Sequence, residues 1–296
     1  MESYIAFDFG GTYIKCAVIG ENADIIESEK KPTPDSLGGL VKLIDLYVSN
    51  HPDSYGIAVS CPGAVSEDGF VYGSSAIRYN HGPNLKNIIE TKTNLPVHIE
   101  NDANCAGYAE VWKGAARGKE NALVVVVGTG IGGAVIRNGE IYKGTHLHGG
   151  EFGFMLLTED VQDSNDVWSR VASTQAMVRK VCRKKGLAAK ELNGEQIFRM
   201  AEQGDRECLQ AIDEFYHLLA VGIYNLQYLH DPEVILIGGG VSARPDLIEN
   251  INKKVTKLVD KIDLAKIKPI LAPCQFHHNA NLLGAVYSFK VRKRRK

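Results

Sequence analysis

Apolar and polar positions alternate in the same way in two places along the chain. Residues 4–26 and 122–142 each contain an apolar strand, a glycine-rich turn, a returning strand, a short polar turn and a third strand. The first turn spans residues 8–12, and the second spans residues 128–133. The repeated pattern predicts an internal duplication in which each copy starts one lobe.

Strand and helix patterns alternate after each copy, which predicts an α/β protein. Helical spacing of apolar residues covers residues 37–49, 103–116, 173–185, 206–229 and 281–290, and further strands are predicted at residues 55–60, 97–99 and 234–237. We expect an N-terminal lobe over residues 1–118 and a C-terminal lobe over residues 119–280. The C-terminal helix, about residues 281–296, is expected to pack back on the N-terminal lobe.

The composition limits the kinds of partner that we expect this protein to bind. The 296 residues include 34 Lys and Arg against 35 Asp and Glu, a formal net charge of -1, so no overall field draws the protein to nucleic acid or membranes. No apolar stretch approaches the length that spans a bilayer. The six cysteines are scattered without a C-x-x-C pair, which is typical of reduced thiols. We therefore expect a cytoplasmic protein with small-molecule partners, and a homodimer is compatible with this composition.

Each glycine-rich turn exposes consecutive backbone N–H groups that can hold phosphate oxygens. Neither turn fits the Walker pattern, because no Lys-Ser or Lys-Thr follows the glycines, and a strand rather than a helix follows the second turn. An ordinary hairpin also needs glycine and would bind nothing. A third glycine cluster at residues 238–240 favours phosphate binding. The predicted nucleotide contacts are Gly10, Gly11, Thr12, Gly128, Thr129, Gly130, Gly239 and Gly240.

Two carboxylates, those of Asp8 and Asp102, are candidates for metal binding and catalysis. Asp8 ends a buried strand, where Mg²⁺ carried by a nucleotide could neutralise it through water; hydrogen bonds from neighbouring backbone N–H groups are the alternative. Residues 100–105 place more polar side chains at a strand-to-helix junction than helix capping requires. The helix dipole keeps Asp102 ionised, so it can accept a hydrogen bond from an incoming hydroxyl while Asn101 orients a neighbour. We predict Asp102 as the catalytic base and Asp8 as the Mg²⁺ contact.

Residues 149–153 set Glu151 among glycines, as is typical where backbone comes close to a ligand. A solvated loop glutamate is the alternative. His146 and His148 have no thiolates nearby, so we interpret them as loop residues and expect no zinc.

These motifs, in this order, resemble those of the ROK family of sugar kinases and repressors, which has the two-lobed actin-like and hexokinase-like (ribonuclease H-like) ATPase fold with an interlobe cleft. Residues 8–12 resemble its first phosphate motif, residues 100–105 its catalytic E-N-D-A-N motif, residues 128–133 its second phosphate motif and residues 238–240 its nucleoside-side glycines. The resemblance covers nearly the whole chain and implies ATP with Mg²⁺ as cofactor. It also implies that Gly63, Asn101, Asp102 and Glu151 bind the sugar.

One departure from the family pattern concerns the acceptor. In zinc-bearing members a histidine and a cysteine cluster follow the G-E-x-G stretch, whereas here Phe154 stands at the histidine position and residues 156–165 contain no cysteine. Bacterial β-glucoside kinases are similar through residues 75–78, 151–155 and 282–287. This similarity implies transfer of the γ-phosphate of ATP to O6 of a β-glucoside. Phe154 then either contacts the aglycone or fills core volume.

Other functions fit parts of the same pattern. An N-acetylmannosamine kinase or a glucokinase of the family would share the chemistry and differ in the acceptor. A sugar sensor without turnover would keep the sugar site, although Asp102 and two phosphate turns favour turnover. A repressor would need a helix-turn-helix segment ahead of the first phosphate motif, and seven residues precede Asp8.

Overall fold

The computed structural model describes residues 2–73 and 75–294. The strands are β1 (Ser3–Phe9), β2 (Tyr13–Gly20), β3 (Ile25–Pro32), β4 (Ile57–Cys61), β5 (Ala64–Val65), β6 (Val71–Tyr72), β7 (Val97–Asn101), β8 (Ala122–Val127), β9 (Ile131–Arg137), β10 (Glu140–Ile141), β11 (Val234–Gly238) and β12 (Leu271–Pro273). The helices are α1 (Leu37–Ser49), α2 (Leu85–Thr93), α3 (Asp102–Lys113), α4 (Trp168–Ala172), α5 (Thr174–Lys185), α6 (Gly194–Glu202), α7 (Arg206–His230), α8 (Leu247–Val259) and α9 (Ala280–Arg294). Short 3₁₀ turns cover Arg78–Asn80, Phe152–Phe154, Gly240–Ala243 and His277–Asn279.

The chain forms two compact units. The first unit comprises Met1–Arg117, Lys143–Gly149 and His278–Lys296, and the second comprises Gly118–Tyr142 and Gly150–His277. The chain therefore returns briefly to the first unit at residues 143–149 before it continues in the second.

Each unit is built on a five-stranded sheet with the same strand order. The first sheet runs β3-β2-β1-β4-β7, and the second runs β10-β9-β8-β11-β12. In both sheets the three strands of the glycine-turn segment are antiparallel, and the two remaining strands are parallel to the first of them. The matching order confirms the duplication that the sequence predicts.

The first unit packs its core on both faces of its sheet. Six of the seven residues of β1 are buried, which explains the nearly continuous apolar run in the sequence. Helix α9 contacts α3, β4 and β1 and buries Leu283, Val286 and Phe289. The C-terminal helix is thus part of the first unit's core.

The core of the second unit gathers around α7. Trp168 is fully buried there, and its indole N–H donates to the carbonyl oxygen of Leu218 at 3.0 Å.

Within the described part of the chain, no helix combines the length and the apolar character that crossing a membrane needs.

Most strands and long helices lie where the sequence predicts them, but four helices were not predicted: α2, α6, α8 and the five-residue α4. Helix α2 buries only two side chains, Leu85 and Ile89, so its apolar periodicity is weak. Helix α6 has only nine residues but begins with a capping box of Asn193 and Gln196. Helix α8 repeats buried apolar residues at four-residue spacing, a helical signal that was available in the sequence.

Candidate active site

The carboxyl ends of β1, β4 and β7 lie side by side in the first sheet. Asp8 is opposite Ser60 across β1 and β4, and Cys61 is opposite Asn101 across β4 and β7. Because parallel strands end at the same edge, the sheet itself brings these predicted residues together. Cys61 is buried among them, and burial, followed by the charges of Asp102 and Asp8, raises the pKa of its thiol to about 12. This thiol is therefore neutral near pH 7 and is no candidate nucleophile.

Asn101 connects the end of β7 to α3. Its Oδ1 accepts a hydrogen bond from the backbone N–H of Asn104 at 3.0 Å, which caps the helix. Its Nδ2 donates to the carbonyl oxygen of Gly63 at 3.0 Å and to Oδ1 of Asp102 at 3.1 Å. Asn101 therefore joins Gly63 and Asp102 into one cluster. Its own contact with a sugar stays a prediction.

Asp102 is the first residue of α3, one position before the predicted helix start. Its Oδ1 also accepts the backbone N–H of Ala103 at 2.9 Å, so two donors orient the carboxylate. The partial positive charge of the helix N-terminus favours its ionised form. The residue is only partly buried. An oriented and accessible carboxylate of this kind can accept a proton.

The protein itself balances the charge of Asp8. The ammonium group of Lys15 donates to its Oδ2 at 3.1 Å, while Ser60 Oγ and Asn281 Nδ2 donate to its Oδ1 at 3.1 and 3.0 Å. The sequence argument for Mg²⁺ started from a buried carboxylate without a positive partner. Lys15 is that partner, so the argument does not hold in this form.

The donors around Asp8 still fit one kind of metal contact. Mg²⁺ keeps several of its waters and takes further ligands from phosphate oxygens, so one nearby carboxylate is enough. Both oxygens of Asp8 already accept hydrogen bonds, which fits a contact through water better than direct ligation. Across residues 2–73 and 75–294, no group of three or more His, Cys, Asp and Glu could hold a metal ion.

The first glycine-rich turn joins β1 to β2. The backbone N–H of Gly10 donates to the carbonyl oxygen of Tyr13 at 3.1 Å and closes the turn. Thr33, which sequence reasoning missed, donates through Oγ1 to the carbonyl oxygen of Gly10 at 2.6 Å. Gly11 and Thr12 are exposed. Phosphate oxygens can therefore approach the backbone at these two residues.

In the second unit, two glycine segments that are distant in sequence meet. Strands β8 and β11 are parallel neighbours with Val126 opposite Gly238, so the segments that follow them leave the same edge of the sheet. Gly239 has φ +89°, and a Cβ at this position would collide with the carbonyl oxygen of Val127. Only glycine fits there, because it tolerates both the positive φ and the close backbone approach.

Both glycine segments border a cavity of about 660 Å³. Of the predicted nucleotide contacts, Gly128, Thr129 and Gly240 line it, whereas Gly130 and Gly239 are outside the lining. The remaining walls come from α5, α6 and the segment after β11. Small-molecule sites have volumes of roughly 300–1,000 Å³, so the cavity has a suitable size for one.

Two residues of this cavity, Phe198 and Arg244, were missed by sequence reasoning. The guanidinium carbon of Arg244 lies 4.1 Å from the centre of the Phe198 ring, and its Nε lies 2.9 Å from Oδ1 of Asp246. A guanidinium group over an aromatic ring offers a planar cation to a ligand. The capping box of α6 could have predicted the helix that carries Phe198, but no local signal marks Arg244.

Gly150 and Gly153 have a packing role. Gly150 has φ +95°, and a Cβ there would lie 2.6 Å from the carbonyl oxygen of Gly133. A Cβ on Gly153 would collide with the carbonyl oxygen of Ile131. These two glycines let the segment lie against β9, and the approach of this backbone to a ligand stays a prediction. The partly buried Glu151 lies between them, and its sugar contact stays a prediction.

Phe154 is 66% exposed, whereas Phe152 in the same 3₁₀ turn is 5% exposed. Phe152, rather than Phe154, fills core volume, so the alternative of a core role for Phe154 is wrong. His146 and His148 lie in the loop before this turn, where Nδ1 of His148 is 2.6 Å from the carbonyl oxygen of His146.

Comparisons of the sequence with family profiles and with known proteins agree on one family. A sequence profile of the ROK family matches residues 4–292. The chain is 35% identical to a β-glucoside kinase of Listeria monocytogenes over 289 residues, which cover 96% of each protein.

Two solved structures are similar over nearly the whole chain. A ROK family protein from Streptococcus pneumoniae in complex with sucrose is 39% identical, with a TM-score of 0.93, 99% of this chain and 100% of that chain covered. A ROK family glucokinase from Streptomyces griseus in complex with glucose and AMPPNP is 26% identical, with a TM-score of 0.80, 96% of this chain and 97% of that chain covered.

Proposed function

This chain belongs to the ROK family, and from that premise we propose that it transfers the γ-phosphate of ATP to O6 of a β-glucoside. Its relatives are named sugar kinases, so the chain is a phosphotransferase with an alcohol group as acceptor. Its fold is the α/β, actin-like and hexokinase-like ATPase fold of the family. The acceptor and the roles of individual residues are the parts proposed here.

We assign the base to Asp102. Two donors orient its carboxylate, and the start of α3 favours its ionised form. As the sugar oxygen bonds to phosphorus, its proton would pass to Asp102 while the bond to the ADP oxygen breaks. The transition state of phosphoryl transfer is loose, so orientation of the hydroxyl and a modest base are sufficient. Gly63, linked to Asp102 through Asn101, would border the sugar.

We assign the nucleotide to the cavity of the second unit. Gly128, Thr129 and Gly240 would offer backbone N–H groups and a hydroxyl to the phosphates. The stacked pair of Arg244 and Phe198 would face the base or ribose. The AMPPNP in the Streptomyces griseus glucokinase supports ATP as the nucleotide.

Mg²⁺ bound to ATP would offset charge that develops on the transferring phosphate. Asp8 would hold this ion through water, because its oxygens already accept hydrogen bonds from Lys15, Ser60 and Asn281. Lys15 would hold the carboxylate of Asp8 in its orientation. Gly10, Gly11 and Thr12 would contact phosphate oxygens at the first turn.

The proposal that the acceptor is a β-glucoside rests on the exposure of Phe154. In zinc-bearing members of the family a histidine stands at this position, and here the aromatic ring is 66% exposed. A site without that histidine leaves no polar group unpaired when a glycoside replaces the free anomeric hydroxyl, so the usual basis for strong rejection is missing. An exposed aromatic ring can also stack on a second sugar ring. Glu151 would bind hydroxyls of the first ring.

The test is a comparison of specificity constants for cellobiose, glucose and N-acetylmannosamine at saturating MgATP. We expect cellobiose to be used at least as well as glucose, with the phosphate on O6 by nuclear magnetic resonance of the product. A preference for either monosaccharide by more than about tenfold would overturn the β-glucoside assignment. The Asp102→Asn protein, prepared in parallel, controls for contaminating kinases. Absence of turnover with every sugar would instead support a sensor.

A further inference from the structure

Glu100 is a buried carboxylate next to the proposed base. Its side chain is 1% exposed at the end of β7. Its Oε1 accepts the backbone N–H of Asn101 at 2.9 Å and Nδ2 of Asn104 at 3.1 Å. These two bonds fix the residues that immediately flank Asp102 and Ala103. Glu100 therefore acts on the first turn of α3 from inside the protein.

A buried carboxylate needs a positive partner, and Lys143 provides it. The ammonium group of Lys143 lies 2.7 Å from Oε2 of Glu100. His98 is close, since its Nε2 is 2.7 Å from Ser288 Oγ, which lies 3.4 Å from the same carboxylate oxygen. Burial, followed by the charges of Lys143 and Arg292, lowers the pKa of His98 to about 3, so His98 is neutral. It cannot balance Glu100.

Lys143 reaches Glu100 from a separate part of the chain. It starts the short segment Lys143–Gly149, through which the chain returns to the first unit. The backbone N–H of Gly149 donates to the carbonyl oxygen of Lys143 at 2.7 Å, so the segment closes on itself. The ion pair thus anchors this loop to the end of β7, just before the chain continues to Glu151.

We propose that Lys143 is a positioning residue for phosphoryl transfer. By balancing the charge of Glu100 it holds the carboxylate turned toward Asn101 and Asn104, and these hold the start of α3 where Asp102 accepts the proton. The inference rests on the proposed role of Asp102. Lys143 does not touch either substrate in this scheme; it acts through Glu100.

Substitution of Lys143 by Met removes the charge and keeps most of the side-chain volume. The Lys143 side chain is 21% exposed and borders a cavity of about 220 Å³ that can admit water, so we expect the protein to fold. Small misplacements of a catalytic group are costly, so kcat should fall by about tenfold to a hundredfold. KM for ATP should stay within about twofold, because the nucleotide cavity is unchanged. Lys143→Arg, which keeps the charge, should recover most of kcat.

A double-mutant cycle with Glu100→Gln separates positioning from general destabilisation. The neutral amide that this substitution introduces needs no cation, so Lys143→Met should cost less than about threefold in that background. The double variant also contains no unpaired buried charge, so it keeps the test available if Lys143→Met alone does not fold. Lys92→Met, which breaks the more exposed pair with Asp45 at 3.0 Å, is the matched control and should leave kcat unchanged.

The outcomes distinguish this inference from the proposed function. An unchanged kcat in folded Lys143→Met would overturn the role of Lys143 but not the proposed function. An equal loss of kcat from Lys143→Met in the wild-type and Glu100→Gln backgrounds would do the same. A wild-type protein that phosphorylates no sugar would overturn the proposed function itself. A lowered kcat that Lys143→Arg restores and that disappears in the Glu100→Gln background would support the inference.

Discussion

The two units share one sheet order but bury different kinds of side chain. In the first unit the buried residues include the ionisable Asp8, His98, Glu100 and Glu110. Among the described residues of the second unit, the buried polar side chains are the uncharged Ser173, Gln227 and Ser242. Buried charges are costly unless they are paired, so the first unit maintains a network of partners that the second does not need.

This difference shows how two copies of one sheet can support two tasks, proton transfer and nucleotide binding. Proton transfer needs a titratable group held in one orientation, and the first unit, to which we assign this step, holds such groups near the ends of β1 and β7. Phosphates and a nucleoside can be held by backbone N–H groups and a flat surface, which the second unit provides at the ends of β8 and β11. Substitution of Asp102 in the first unit should therefore affect the chemical step, and substitutions in the cavity of the second unit should affect nucleotide binding.

The largest effect is expected from Asp102→Asn. The amide keeps the shape of the side chain but cannot accept the proton, so kcat should fall by about 10²- to 10⁴-fold. The affinity for AMPPNP, measured by calorimetry, should be unchanged because Asp102 is not among the residues assigned to the nucleotide.

Asp45→Asn, a matched substitution on α1, should leave kcat near the wild-type value. Near-normal turnover of Asp102→Asn would remove Asp102 from the mechanism. A loss of AMPPNP affinity in this variant would break the division of tasks between the two units.

The sequence predicts the strand-to-helix junction that carries Asp102 well, because its signals are local. The strand-to-helix junction at residues 97–105 combines an apolar run, a capping residue and surplus polar groups within nine positions. Helix α1 was predicted with the bounds that the structure has, since its apolar spacing is strong. The duplication followed from two glycine turns with the same flanking pattern.

The partners of the site residues were not predictable in the same way. Lys15 pairs with Asp8, and Lys143 pairs with Glu100, through contacts that the folded sheet and loop create. No local pattern links such positions. Glycines are ambiguous for a related reason: Gly150 and Gly153 allow one backbone to pack on another, which a sequence does not distinguish from a ligand contact.

A smaller effect is expected from Asp8→Asn. If Asp8 holds the Mg²⁺ of MgATP through water, the half-saturating Mg²⁺ concentration should rise by about tenfold, equivalent to about 1.4 kcal/mol. The measurement is a titration of rate with Mg²⁺ at fixed ATP. The maximal rate at saturating Mg²⁺ should change much less than in Asp102→Asn.

Lys15→Met provides the contrast for Asp8, because it removes the cation and retains the carboxylate. A carboxylate relieved of its cation should bind Mg²⁺ at least as well, so the Mg²⁺ midpoint should stay or fall. If Lys15→Met and Asp8→Asn raise the midpoint equally, the pair is structural and Asp8 has no separate contact with the ion.

The smallest effect is expected in the second unit, from Arg244→Ala. The guanidinium is stacked on Phe198 and held by Asp246, so its loss removes one flat wall of the cavity and leaves the glycine segments intact. A stacking or cation–π contact is worth about 0.5–1 kcal/mol, which corresponds to a rise of about two- to fivefold in KM for ATP. KM for the sugar and kcat should be unchanged, and Arg183→Ala on the exposed side of α5 is the matched control.

A second measurement with adenosine locates the contact, because adenosine has the base and ribose but no phosphate. An equal loss of adenosine affinity assigns Arg244 to the nucleoside, whereas a loss confined to ATP assigns it to the phosphates. A fall in kcat as large as that of Asp102→Asn would contradict the separation of chemistry from nucleotide binding.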